Sequence, residues 1–79
     1  MPRLESIEEL RVRVSRRRNE AEALARAALK KLAHLVSGIT PLEELDPDDV
    51  RAAADTFAEE LASFRAHAQF ADELRELLL

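Results

Sequence analysis

Residues 37–49 read "SGITPLEELDPDD" (Ser37 to Asp49) and hold the chain's only glycine and two of its three prolines. The residues on either side favour helix, so the reading of this stretch decides the fold. Gly38 closes a long helix-favouring run, where a residue in the left-handed region ends a helix without a Cβ penalty. Ile39 is placed to supply the hydrophobic contact that accompanies such a stop. Thr40-Pro41-Leu42-Glu43 has the order of an N-cap, a proline at N1 and an acid at N3, a capping box that opens a short turn. Asp46-Pro47-Asp48-Asp49 repeats the signal with three carboxylates beside the positive end of the next helix. The reading is helix, break, helix. The first helix runs from about residue 4 to 37, and a turn over 38–46 carries a one-turn helix near 41–45. The second runs from about 47 to 78, and the whole is one domain over residues 1–79.

Composition agrees. Charged residues make up 35% of the chain, glycine occurs once, and Trp and Tyr do not occur, a profile of long helices and not of a mixed sheet fold. With no cysteine, neither disulfides nor thiolate metal sites can staple it. The opening residues "MPRLESIEEL" are charged and lack an apolar h-region, so no secretory leader is expected. No apolar run approaches the roughly 20 residues needed to span a bilayer, and a cytoplasmic location with no membrane partner is expected.

Outward from the turn, each helix carries a seven-residue repeat. The first has Ile7, Val14, Ala21, Ala28 and Leu35, flanked by Leu10, Leu24, Ala25 and Leu32. The second has Val50, Phe57, Phe64, Ala71 and Leu78, flanked by Ala54, Leu61, Ala68 and Leu74. A strict heptad keeps one seam facing a partner helix, so an all-α antiparallel hairpin with a coiled-coil-like seam is expected. Folding at the break pairs residues whose numbers sum to 85, which sets Ala21 against Phe64 and Ala28 against Phe57. Large opposite small fills facing layers without voids. Charge points the same way. Residues 1–36 hold nine Lys/Arg and five Glu, and residues 37–79 hold three Arg and eleven Asp/Glu. A basic helix then lies beside an acidic one, although each exposed pair contributes only about 0.2–1 kcal/mol.

One seam in 79 residues is a thin core for a free-standing domain. Phe70, Leu74 and Leu77 lie off the phenylalanine stripe and share an end of the hairpin with Leu4, Leu10 and Val12. An interface built on Leu10, Phe70, Leu74 and Leu77 is therefore expected. Its occupant is a second copy, which would make a four-helix bundle, or a helical partner protein. Off-stripe alanines, among them Ala27, Ala58 and Ala66, would allow close approach, although plain helix propensity also explains them.

The basic stretch "RVRVSRRRNE" (Arg11 to Glu20) offers a different function. Guanidinium suits phosphate, so Arg11, Arg13, Arg16, Arg17 and Arg18 define a candidate nucleic-acid contact. At about 100° per residue the five fan around the helix, and there is no Tyr or Trp for base stacking. The reading preferred here is structural. Arg17 and Arg18 flank the seam opposite Ala68 and His67, and Arg13 lies across from Asp72. Arg13 and Arg17 are expected against the Ala68 to Asp72 turn, with Arg11, Arg16 and Arg18 towards solvent. His34 and His67 have no second ligand on the same turn, and the paired acids Glu43/Glu44, Asp48/Asp49 and Glu59/Glu60 point to different sides. No phosphate loop and no nucleophile–base pair is visible. No enzymatic activity, catalytic residue, metal site or cofactor is expected.

Ser37-Gly38 followed by Pro41-Leu42-Glu43-Glu44 resembles the punctuation between the helices of the exonuclease VII small subunit, also a small acidic helical hairpin. The match covers under a tenth of the chain, and the Asp46-Pro47-Asp48-Asp49 restart and longer first helix depart from it. The overall plan is also similar to the Rop family of RNA-binding hairpin dimers, on little more than Leu45, Asp46 and Asp48. Stop–cap–start chemistry alone accounts for both matches, and membership of neither family is inferred. The function expected is a non-enzymatic interaction or oligomerisation module, such as a small subunit, adaptor or phage-type accessory protein. The alternative is a small dimeric nucleic-acid-binding regulator.

Overall fold

A computed structural model describes the backbone of residues 4–78 and the side chains of residues 6–77. Two helices of 32 residues each, α1 (Leu4–Leu35) and α2 (Pro47–Leu78), pack against each other as a hairpin. A one-turn 3-10 helix, Leu42–Glu44, sits between them. The hairpin is rod-shaped, 63 × 18 × 14 Å, with a radius of gyration of 17.9 Å. A compact domain of this length would have about 12 Å.

The break follows the expected chemistry with corrections. α1 ends at Leu35, two residues earlier than expected, after Val36 N–H donates to the Leu32 carbonyl at 3.1 Å. The Ser37 hydroxyl then donates to the His34 carbonyl at 2.9 Å, taking an acceptor that a further helical turn would have used. Gly38 has φ +86°, the left-handed conformation that favours glycine, and open space around it, so backbone and not crowding requires it. Ile39 makes no staple and is 76% exposed. Pro41, not Thr40, occupies the cap position of the short 3-10 helix, and no side chain caps it. A single 3-10 turn closes on its own backbone, with Glu44 N–H donating to the Pro41 carbonyl at 2.9 Å. The α2 start is as read. Asp46 Oδ1 accepts from Asp48 N–H at 2.9 Å, its carbonyl accepts from Val50 N–H at 3.2 Å, and Pro47 takes the first helical position.

The heptad stripe forms the contact between the helices. Val14 and Ala21 are buried, and Ile7, Ala28, Leu35, Val50, Phe57, Phe64 and Ala71 are half-buried. The grooves follow a register near the sum of 85: Val14 and Ala71 line one groove, and Ala28 and Thr56 line another. The Ile7–Leu78 layer includes a side chain outside the described residues. The flanks differ from expectation. On α1 the second buried stripe is Ala25 and Leu32, whereas Leu24 is 56% and Leu10 36% exposed. The small Ala25 beside Ala21 lets the phenylalanine helix come close. On α2 the buried alanine is Ala53, with Ala54 half-buried.

Candidate interaction surface

Two long faces flank the seam. One holds an open groove of about 450 Å³ lined by Leu10, Arg13, Val14 and Arg17 of α1 and by Ala66, His67 and Phe70 of α2. Phe70 is 51% exposed at its rim. Further along this face, towards the turn, a hollow of about 360 Å³ is floored by Ala28, Ala52 and Ala53 and rimmed by Lys31, Asp49 and Thr56. The opposite face carries Arg11, Arg18 and Arg75 around Val14, Ala71 and Leu74.

Leu10 and Phe70 are therefore brought together in one groove. Leu74 is not with them: it is half-buried and turned to the opposite groove. Leu77 is 82% exposed near the end of α2, and the Leu4 side chain lies outside the described residues.

The five arginines separate as the helical fan requires, but not with the assignment expected. Arg13 and Arg17 line the groove beside Ala66, His67 and Phe70, the last of these within the Ala68 to Asp72 segment expected. Asp72 is taken by Arg75 on its own helix at 3.5 Å, and Arg13 makes no ion pair among the described residues. Arg18, expected in solvent, is half-buried with its guanidinium carbon 5.5 Å from the centroid of Phe64. A planar cation over an aromatic face gains quadrupole attraction while its stem covers the seam. Nothing in the charge pattern announced this contact, because Phe64 reads simply as core. Arg11 pairs with Glu8 at 3.3 Å, and Arg16 is exposed on the outer surface of α1.

All five ion pairs among the described residues join positions three or four apart within one helix: Arg11–Glu8, Arg18–Glu22, Arg26–Glu22, Arg51–Asp48 and Arg75–Asp72. None crosses between the helices, so the opposite charges of α1 and α2 act through the general field and not through bridges. His67 is half-buried, and its Nδ1–H donates to the Ser63 carbonyl at 2.8 Å, while His34 is exposed. Among the described residues no group of three His, Cys, Asp or Glu is placed to hold a metal ion, and no helix is long and apolar enough to cross a membrane. Comparison with protein families, curated proteins and solved structures found no match to this chain.

Proposed function

We propose that this chain is a non-enzymatic oligomerisation module, a helical hairpin completed by a second copy into a four-helix bundle. The observation that carries the reading is unburied surface. The hairpin exposes 6607 Å², against about 4,800 Å² for a compact monomer of 8.9 kDa. The excess, about 1,800 Å², is more than twice the roughly 800 Å² each partner contributes to a standard interface. Among the described residues the buried ones are one valine and three alanines, Val14, Ala21, Ala25 and Ala53, and each keeps 5–8% of its surface exposed. So small a core leaves folding dependent on association. Sedimentation should give a dimer, and thermal stability should rise with protein concentration. A folded monomer at micromolar concentration, with a melting temperature independent of concentration, would remove this reading.

The competing reading is a nucleic-acid-binding regulator. It is favoured by Arg13, Arg16 and Arg17, which are exposed and make no ion pair among the described residues. Against it stand the acidic α2 and the spread of these side chains over two surfaces. Titration of labelled RNA and DNA at two salt concentrations separates the two, because phosphate contacts give a steep salt dependence.

A further inference from the structure

We propose that the second copy covers the groove face with the hairpins antiparallel, related by a two-fold axis crossing the middle of α2, so that Phe70 of each copy fills the alanine-floored hollow of the other. The inference rests on the dimer reading above and adds the face, the symmetry and the contact.

Charge chooses the face. The five ion pairs occupy the opposite face and the outer edges, where Arg11, Arg18 and Arg75 are already matched. That face also shows Leu29, Val36 and Leu61, but its groove is rimmed by arginines. On the groove face Arg13, Arg17, Lys31, Asp49 and Glu60 make no ion pair among the described residues, while Leu10, Leu24 and Phe70 are exposed. Apolar surface ringed by unmatched charges of both signs suits a surface of the same composition.

Position chooses the symmetry. A two-fold at the middle of α2 (Pro47–Leu78) exchanges residues whose numbers sum to 125. Phe70 is carried to the turn bearing Ala52, Ala53 and Thr56, which is the hollow, and the two helices of α2 overlap along their full length. A large side chain thus meets small ones, as in a packed core. By the same operation and the sum of 85, exposed Leu24 falls within one turn of its own copy near the axis. Arg17 falls within one turn of both Glu60 and Lys31 of the second copy, so its charge does not choose between the symmetries. The parallel alternative, with the axis along the rod, lays α1 over α2 of the second copy, so that Arg17 meets His67. It also sets hollow against hollow, leaving a void. The fit of Phe70 to the hollow therefore favours the antiparallel dimer.

Residues 52 and 70 are 18 positions apart in α2, about 27 Å at 1.5 Å per residue, too far to couple within one chain. The test is a double-mutant cycle on the dimer dissociation constant, measured by sedimentation. Ala52→Phe should block the hollow, and Phe70→Ala should remove the knob, each weakening association about tenfold or more. The double variant, with knob and hollow exchanged, should return to within about threefold of the wild type. Additive losses would overturn this geometry and leave the dimer reading standing. A wild-type monomer would instead overturn the dimer reading itself. Should Ala52→Phe not fold, a spin label on Ile39→Cys serves, because the natural chain has no cysteine. Antiparallel copies place the two labels at opposite ends, near the 63 Å rod length. A separation below about 35 Å, as for helices stacked roughly 10 Å apart, would sink the proposal.

Discussion

Arg17 and Arg18 are neighbours in the chain and belong to different faces of the hairpin. Arg18 lies over Phe64 and within 3.9 Å of Glu22, so its charge is matched inside the chain. Arg17 stands at the edge of an apolar groove with no ion-pair partner among the described residues. The same contrast holds along the rod. One face is self-sufficient, its charges neutralised by residues three and four positions away. The other combines exposed Leu10, Leu24 and Phe70 with unmatched charge. The difference teaches that local spacing matches the charges of one surface within its own helix and leaves those of the other unmatched.

The sharpest way to break this comparison is one charge on each face. Phe70→Glu should abolish assembly, weakening it about a hundredfold or more, since a desolvated carboxylate without a partner is expensive. Leu61→Glu, on the self-sufficient face, should leave the dimer within about threefold of wild type. Analytical ultracentrifugation checks both, and a reversed order would transfer the interface to the Leu61 face.

The seam beneath both faces gives the next largest effect. Phe57→Ala should cost about 2–4 kcal/mol, at or below the usual range for a core phenylalanine because Phe57 is only half-buried in the hairpin. Ala28→Phe should overpack the facing layer, and the double variant Ala28→Phe with Phe57→Ala should recover part of the loss. A strictly additive cycle in urea unfolding would contradict the register.

The smallest effect sharpens the two-arginine contrast. Arg18→Ala should destabilise by about 0.5–1 kcal/mol through loss of the Phe64 contact. Arg16→Ala, on the outer surface, should change stability by less than about 0.5 kcal/mol. Equal values in denaturant titrations would mean that the cation–π contact contributes nothing.

The turn was the most legible part of the molecule. Gly38, Asp46 and Pro47 each have a single structural use in that order, and all three serve it. Capping of the short helix was less legible, because Thr40 and Pro41 both suit a cap and a one-turn helix needs neither side chain. The heptad stripe was legible for a similar reason: apolar residues recur every seven positions with charge between them. Its flanks were not. On α1 the stripe Leu10, Arg17, Leu24 and Lys31 competes with Arg11, Arg18, Ala25 and Leu32, and each holds two apolar and two cationic residues. Pattern alone cannot rank them. The assignment of Arg18 failed on the same point, since a small rotation of α1 moves it from solvent to the seam.

The sequence by itself determined that this chain is two helices and a break, and which stripe of each helix meets the other. Those features follow from backbone chemistry and from periodicity, which act over three to seven residues and need no knowledge of the fold. Only the tertiary structure decided which flank of α1 turns inward, that no ion pair joins the helices among the described residues, and that Leu10 and Phe70 share a groove while Leu74 faces away. These depend on the rotation and approach of one helix against the other. Both are set by the combined fit of small and large side chains across the seam, a property of pairs of residues that neither helix carries alone.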